Sequence, residues 1–267
     1  MQPSLLQHHC RLLNANTVTI TERWLCSLYD PYWRLYRNRE DGAVIIGEDG
    51  EVPLRAGACY LIPAWGRFRT RCSRDVRHTY LHFDPVNLPG AWVRTHCTMV
   101  VPLPRNPEWN ALLDVVPIAD ENAWSLHLRC QAMLCAVLAH VIDQAGGAGA
   151  TDGEAARSAD RALVEPAARW IEEHLADPLP VDLLASRCQI SRDHFTRIFT
   201  RAMGSSPARH VAERRIAAAA LLLLRSEDRI EHVAEAVGFS NRYHFTRVFQ
   251  RILRTSPAAY RTQGKFG

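Results

Sequence analysis

The first hundred residues alternate apolar and polar positions over short runs, whereas apolar positions farther along recur at helical spacing. A period of two marks half-buried strands and a period near 3.6 marks amphipathic helices. Val18 and Ile20 alternate with Thr17, Thr19 and Thr21, and the runs Tyr32 to Tyr36, Ala43 to Ile46, Ala58 to Ile62 and Val76 to Phe83 follow. Turn signals separate them at Glu40-Asp-Gly42, Glu48-Asp-Gly50, Ala56-Gly57 and Ala64-Trp-Gly66. Strands this short at roughly ten-residue spacing predict a β-barrel or sandwich. Helical spacing is weak from Trp109 to Val116 and strong from Trp124 to Gln144, where Leu126, Met133, Leu134, Val137, Leu138, Val141 and Ile142 recur. Ala145 to Ala159 then carries four glycines and no periodicity, which predicts a flexible linker at 146–160 between domains at 1–145 and 161–267.

Downstream the pattern is helical throughout and repeats itself. His194-Phe-Thr-Arg-Ile-Phe-Thr-Arg201 returns as His244-Phe-Thr-Arg-Val-Phe-Gln-Arg251, and Ser206-Pro-Ala208 as Ser256-Pro-Ala258, both at an offset of 50. Upstream the offset is 49, with Leu184-Ala185 against Val233-Ala234, Cys188 against Val237 and Ile190-Ser191 against Phe239-Ser240. The single-residue change falls where a turn meets a helix and insertions are tolerated. In the second copy Asp228-x-x-Glu231 reads as a capping box, Ile230, Val233, Ala234 and Val237 line one face, and Gly238 stops the helix. A second helix over 241–253 turns Phe245, Val248, Phe249 and Ile252 inward. Two short helices joined by a tight turn, with a small residue (Ala185, Ala234) where they cross, describe a helix-turn-helix, here at about 179–203 and again at 228–253. Between the copies, Ser206 is placed to cap a helix with Pro207 at its first position, running to Arg225. At about 1.5 Å per residue that helix is roughly 28 Å long, enough to hold two helices in successive major grooves about 34 Å apart.

Charge sharpens this division. The 267 residues carry a net +4, but residues 1–159 hold 15 Arg against 16 Asp and Glu, while 160–267 hold 17 Lys and Arg against 12, a net +5. On the second helix of each repeat, Arg192, Arg197 and Arg201 stand against the single acid Asp193, and Arg242, Arg247, Arg251 and Arg254 stand against none. A guanidinium bonds a guanine edge or a phosphate in bidentate fashion. One such face is commonly just a solvated basic surface; two in the same frame point to DNA. The eight cysteines are scattered without C-x-x-C or zinc spacing, which predicts reduced, mostly buried thiols. Met1 to Leu13 makes no signal peptide, and the longest apolar run, which holds Ala217 to Leu224 and begins at Ile216, is far short of the ~20 residues that span a bilayer, so a cytoplasmic protein is expected.

Residues about 162–262 resemble the DNA-binding domain of AraC-type (AraC/XylS) transcriptional regulators. The matching positions are Ala185…Ile190-Ser191, Phe195-x-Arg197-x-Phe199, Ile230-x-x-Val-Ala-x-x-Val-Gly-Phe239, Phe245-x-Arg247-x-Phe249 and Ser256-Pro257-x-x-Tyr260-Arg261. The resemblance implies base-facing Asp193, Thr196, Arg197, Arg242, Tyr243, Thr246 and Arg247, with Arg192, Arg201, Arg251 and Arg254 on phosphates. Two positions depart from the pattern. Gln189 stands where the second copy has Gly238, and must take a left-handed conformation at roughly 1 kcal/mol or turn differently. Asp193 either accepts from a cytosine N4 or caps its helix beside Arg197.

The N-terminal half is similar to the effector-binding half of that family, a cupin-like β-barrel with a helical dimerisation segment, through Leu54-Arg-Ala-Gly57, Leu61-Ile-Pro63 and Tyr80-Leu-His-Phe83. The fold class expected is therefore α+β in two domains, barrel followed by an all-α DNA reader. His78, Tyr80 and His82 alternate on one strand face, and with Arg34, Tyr36, Tyr60 and Trp65 they are the candidate effector contacts, since sugars stack on aromatic rings and bond Arg and His. Each taken alone is more often a core or rim residue than a ligand contact. No carboxylate or third histidine completes a metal set, so no metal, cofactor or catalytic residue is assigned. The helix Trp124 to Gln144 either packs on its own barrel or forms a homodimer. The leading reading is a DNA-binding transcriptional regulator under a small-molecule effector such as a sugar or related catabolite, taken as an activator with RNA polymerase a further partner. A cupin-type metal enzyme on a DNA anchor lacks its ligand triad, a DNA-repair methyl acceptor lacks a clustered thiolate site, and an effector-independent DNA binder stays open.

Overall fold

The computed structural model describes residues 10–85, 93, 97–116, 124–144 and 152–264. Those up to Gln144 form one compact unit and those from Asp152 another. Among the described residues the N-terminal unit has nine strands: β1 (Cys10–Ile20), β2 (Ser27–Leu28), β3 (Trp33–Asn38), β4 (Ala43–Gly47), β5 (Gly50–Leu54), β6 (Cys59–Ile62), β7 (Phe68–Cys72), β8 (Val76–Pro85) and β9 (Val101–Pro102). They make two antiparallel sheets, ordered β1-β8-β3-β6-β9 and β2-β7-β4-β5. One core joins the sheets, with Tyr36, Tyr60, Ile62 and Tyr80 from the first meeting Ile45, Leu54, Phe68 and Cys72 from the second. Strands β3, β6 and β8 are buried on both faces along most of their length, β6 as a continuous apolar run and β3 and β8 with polar side chains among the buried ones, and β7 alternates strictly in and out. Helix α1 (Pro107–Asp114) is capped by Asn106, whose side chain accepts from the amides of Glu108 and Trp109. Helix α2 (Trp124–Gln144) packs on β1.

The strands expected from alternation are all present, and four more appear. β2 and β9 are two residues each, too short to leave a period, while β5 and β7 carry Glu51, Arg69 and Arg71 on their exposed positions.

The C-terminal unit is all helical: α3 (Asp152–Glu173), α4 (Val181–Arg187), α5 (Arg192–Met203), α6 (Pro207–Arg225), α7 (Ile230–Ala236), α8 (Arg242–Leu253) and α9 (Pro257–Gly264). The repeat is visible in the helices themselves: α4 maps onto α7 at an offset of 49, and α5 and α6 onto α8 and the start of α9 at 50. Each repeat closes over a phenylalanine pair, Phe195 with Phe199 and Phe245 with Phe249, all fully buried.

Two local expectations are corrected. The stretch 146–160 is helical from Asp152 onward, because Glu154 to Arg161 is an Ala-rich run of good helix formers, while 145–151 lie outside the described residues. The capping box at Asp228 does not form. Helix α7 begins at Ile230 with Arg229 in the cap position; the Asp228 amide bonds Ser226 Oγ at 3.4 Å and its carbonyl accepts from Arg261 at 2.6 Å. Ser206 does hold the cap position of α6 with Pro207 first in the helix, but its side chain makes no capping bond.

Candidate nucleic-acid interface

The two recognition helices are positioned by their apolar halves. In α5, Phe195, Ile198, Phe199, Ala202 and Met203 are buried, and in α8, Phe245, Val248, Phe249 and Leu253, so that the intervening positions must face out. On that outer side Asp193, Arg197, Arg242, Tyr243 and Arg247 are exposed, Tyr243 at 83%, and Thr196 and Thr246 are half-buried. All seven expected base-facing residues thus lie on the exposed sides of α5 and α8. Thr196 donates its hydroxyl to the Arg192 carbonyl at 2.9 Å. Asp193 stands in the first turn of α5, where a carboxylate suits the helix dipole, and the cap position itself is held by Ser191.

The four arginines expected on phosphates, Arg192, Arg201, Arg251 and Arg254, are not alike, and Arg242 shares the arrangement of Arg192. Arg192 and Arg242 open their helices and reach back to an acid on the preceding one, Arg192 to Asp182 at 3.2 Å and Arg242 to Glu231 at 2.5 Å. Asp182 and Glu231 are themselves 49 residues apart, so this ion pair is part of the duplicated unit. The guanidinium holds the Glu231 carboxyl below its ordinary range. Arg201 instead grips Asp160 of α3 in bidentate fashion, its Nη2 at 2.7 Å from Oδ1. That hydrogen bonding keeps the largely buried Asp160 carboxyl below the usual carboxylate range. Arg251, its counterpart in the second copy, is exposed, as is Arg254.

Backbone geometry at the turns answers the question Gln189 posed. It takes φ 55°, and its counterpart Gly238 φ 86°, so both copies use a left-handed residue. Gly238 also sits beneath the Leu175 and Ala176 carbonyls, where a Cβ would come within 2.5 and 2.8 Å. Arg215 of α6 reaches the same place, donating to the Leu175 and Asp177 carbonyls at 2.8 and 2.7 Å. Sequence reading missed Asp160, Asp182, Arg215 and the cap Asn241, whose side chain accepts from the amides of Tyr243 and His244, and gave Glu231 to a capping box rather than to Arg242. The offset of 49 was the available signal for the acid pair.

In the N-terminal unit, six of the seven candidate effector residues share one face of the five-stranded sheet, in adjacent cross-strand rows. Arg34 pairs with His82 and Ile62, Tyr36 with Tyr80 and Tyr60, and Asn38 with His78. Tyr80 and His82 stack at 4.7 Å, and Arg34 lies 4.5 Å over the Tyr32 ring and pairs with Asp30. His78 is buried against Trp24, its Nδ1 2.7 Å from Asn38 Oδ1, and loss of hydration pushes its pKa down to about 3, leaving a neutral imidazole. Tyr60 Oη accepts from the Arg55 amide and Tyr80 Oη from Asn14. Trp65 stands apart, on a loop at φ 64° with its ring edge-on to Tyr29. Among the described residues no three His, Cys, Asp or Glu stand together as a metal set.

Comparison with known proteins agrees with the duplicated frame. Residues 184–263 match the model of a helix-turn-helix domain family. The transcriptional regulator YbfP of Bacillus subtilis is 35% identical over 99 residues, 37% of this chain and 34% of its own length. The multiple antibiotic resistance protein MarA of Escherichia coli is 29% identical over 86 residues, 32% of this chain and 68% of MarA. The chain therefore spans about a third of YbfP and two thirds of MarA. Over nearly the whole length, the fold is similar to that of ToxT from Vibrio cholerae with an unsaturated fatty acid bound, at a TM-score of 0.57 and 11% identity, covering 96% of this chain and 95% of that one. The α4 to α9 segment is thus a helix-turn-helix domain, similar over this stretch to those of the transcriptional regulators YbfP and MarA.

Proposed function

We propose that this chain regulates transcription by binding specific double-stranded DNA as a homodimer, under the control of a small-molecule effector. The observation that carries the reading is the duplication: two helix-turn-helix units, each with a phenylalanine-anchored helix whose outer face bears arginines, joined by a helix of 19 residues. Asp193, Thr196, Arg197, Arg242, Tyr243, Thr246 and Arg247 read base edges, and Arg192, Arg201, Arg251 and Arg254 meet phosphates. Of the latter, Arg201 is the most committed elsewhere, through Asp160, so it serves first to fix α5 on α3.

The effector is a small hydroxylated molecule, a sugar or related catabolite, held by Arg34, Tyr36, Tyr60, Trp65, His78, Tyr80 and His82. The ToxT structure with a bound unsaturated fatty acid supports a small-molecule ligand in a chain of this fold, and the amide, imidazole and phenol groups on this sheet favour a more polar one. Binding there biases how the two readers are presented, which is linkage between two sites. We assign the chain no catalytic activity and no cofactor, a cytoplasmic location, and an activating role through RNA polymerase.

The test is DNA binding by the full chain to its own upstream region. Arg247→Ala should weaken specific binding by about 1–3 kcal/mol and relax preference at one base position. The exposed Arg105→Ala, outside the helical domain, should leave it unchanged. Equal losses in both would overturn the assignment of α8 as a reading helix.

A further inference from the structure

Two of the eight cysteines meet. Cys10, at the start of β1, and Cys135, in the middle of α2, are 125 residues apart in sequence, yet their sulfurs are 3.7 Å apart. A disulfide bond needs about 2.0 Å, so the two sulfurs stand in contact and short of a bond. The two sulfurs differ in surroundings: Cys135 is exposed, and Cys10 is buried at 2% exposure. The other cysteines are buried or half-buried, and among the described residues this is the one pair with sulfur against sulfur.

We propose that Cys10 and Cys135 form a reversible redox site, oxidised by a peroxide to a disulfide that fastens α2 to β1. Exposure makes Cys135 the sulfur that a peroxide reaches. Its thiolate displaces hydroxide from hydrogen peroxide and becomes a sulfenic acid, one water being released once the proton is counted. The Cys10 sulfur then attacks the sulfenic sulfur, the S–O bond breaks, and the second water leaves. Two thiols and one peroxide thus give one disulfide and two waters, the thiols supplying both electrons. Burial, with Cys135 and Asp84 nearby, pushes the Cys10 thiol strongly up, which disfavours its own reaction with peroxide; its contact with Cys135 makes it the resolving partner, its proton leaving with the departing hydroxide as water. Because the site joins the first strand to the helix proposed as subunit interface, oxidation acts on that helix's seating. The pair of sulfurs stands whether or not the chain dimerises.

The experiment uses the full chain, reduced, then exposed to hydrogen peroxide at low protein concentration. Free thiols are blocked under denaturing conditions and the protein is digested without reductant. The expected result is a Cys10–Cys135 linked peptide, the loss of two reactive thiols from eight, and full recovery with dithiothreitol. The oxidised chain should melt several degrees higher in its N-terminal unit. In Cys10→Ser the disulfide should vanish and a sulfenic acid at Cys135 should be trapped by dimedone; in Cys135→Ser no thiol should be lost at Cys10. A Cys135–Cys135 cross-link between chains, or a different linked pair, or no thiol loss, overturns the proposal, and because it reads wild-type protein the outcome does not depend on either variant folding.

Discussion

A left-handed residue ends both recognition helices, and the two copies fill the position differently. Gly204 caps α5 at φ 69°, whereas Arg254 caps α8 at φ 60°. An L-residue with a Cβ costs about 1–2 kcal/mol there, a cost the first copy avoids. The second copy accepts it and gains an exposed guanidinium at the end of a helix that carries no acid. If Arg254 is kept for DNA, stability and affinity should separate. Arg254→Gly should raise the thermal stability of the helical unit by about 0.5–1 kcal/mol while weakening DNA binding and lowering the salt slope of log K by about 1. Calorimetry and a salt titration of operator binding measure the two, and unchanged affinity would remove Arg254 from the phosphate contacts. Gln189 shows the reverse distribution, strained in the first copy where the second has Gly238. Neither difference is legible from side-chain chemistry alone; both follow from the alignment of the repeats.

At the scale of elements, the turn between α7 and α8 is fixed from outside. Gly238 lies against the carbonyls that follow α3, and Arg215 of α6 donates to two carbonyls of the same segment. The second helix-turn-helix is thereby seated on α3 and α6 before it meets any ligand. Gly238→Ala must push a Cβ into the Leu175 and Ala176 carbonyls at positive φ. A loss on the order of 3 kcal/mol in unfolding free energy should follow, with DNA affinity falling with it. A denaturant titration showing less than about 1 kcal/mol would mean that the turn relaxes freely. The helical frame was legible because one pattern occurs twice: Phe-x-Arg-x-Phe and Ser-Pro-Ala located α5, α6, α8 and α9. The start of α3 was not, because glycines at 146–153 masked the Ala-rich run after them, and Pro166 inside the helix carries a break signal. The capping box misled because Asp-x-x-Glu has the right spacing, yet Glu231 is drawn to Arg242 across the turn. In the sheets, β3, β4, β6 and β8 were legible from their apolar runs, while β5 and β7 were hidden by charges on their solvent side. The effector candidates landed on one sheet face because strand alternation fixes which side a residue takes, though nothing local says which of them are spent on each other.

For the whole molecule, the informative element is α2. It is 21 residues long, and among the described residues it is the one helix long and apolar enough to cross a membrane, at a mean hydropathy of 1.4. One face, with Met133, Leu134, Val137, Leu138 and Val141, is buried within its own unit. On the outward side Trp124 is 73% and Leu128 64% exposed, and Ala132, Ala136 and Ala139 continue the stripe, with Ser125 and Arg129 beside it. An exposed apolar stripe of this kind fits a second partner. The first is β1, and the small residues along the second stripe let another helix of the same kind approach closely, which suits a two-fold contact in which α2 meets its own copy. In such a contact each Leu128 removed takes about 1.5–3 kcal/mol of burial, and symmetry removes it twice. Leu128→Glu should therefore raise the dimer dissociation constant on the order of a hundredfold or more in sedimentation equilibrium, because ~1.4 kcal/mol is tenfold. The N-terminal melting temperature should not fall, since the side chain is already in water in the monomer. DNA binding should then lose its dependence on protein concentration and keep only the affinity of one reader pair. A variant that stays dimeric would place the subunit contact elsewhere, and one that melts early would show that the stripe packs within its own chain.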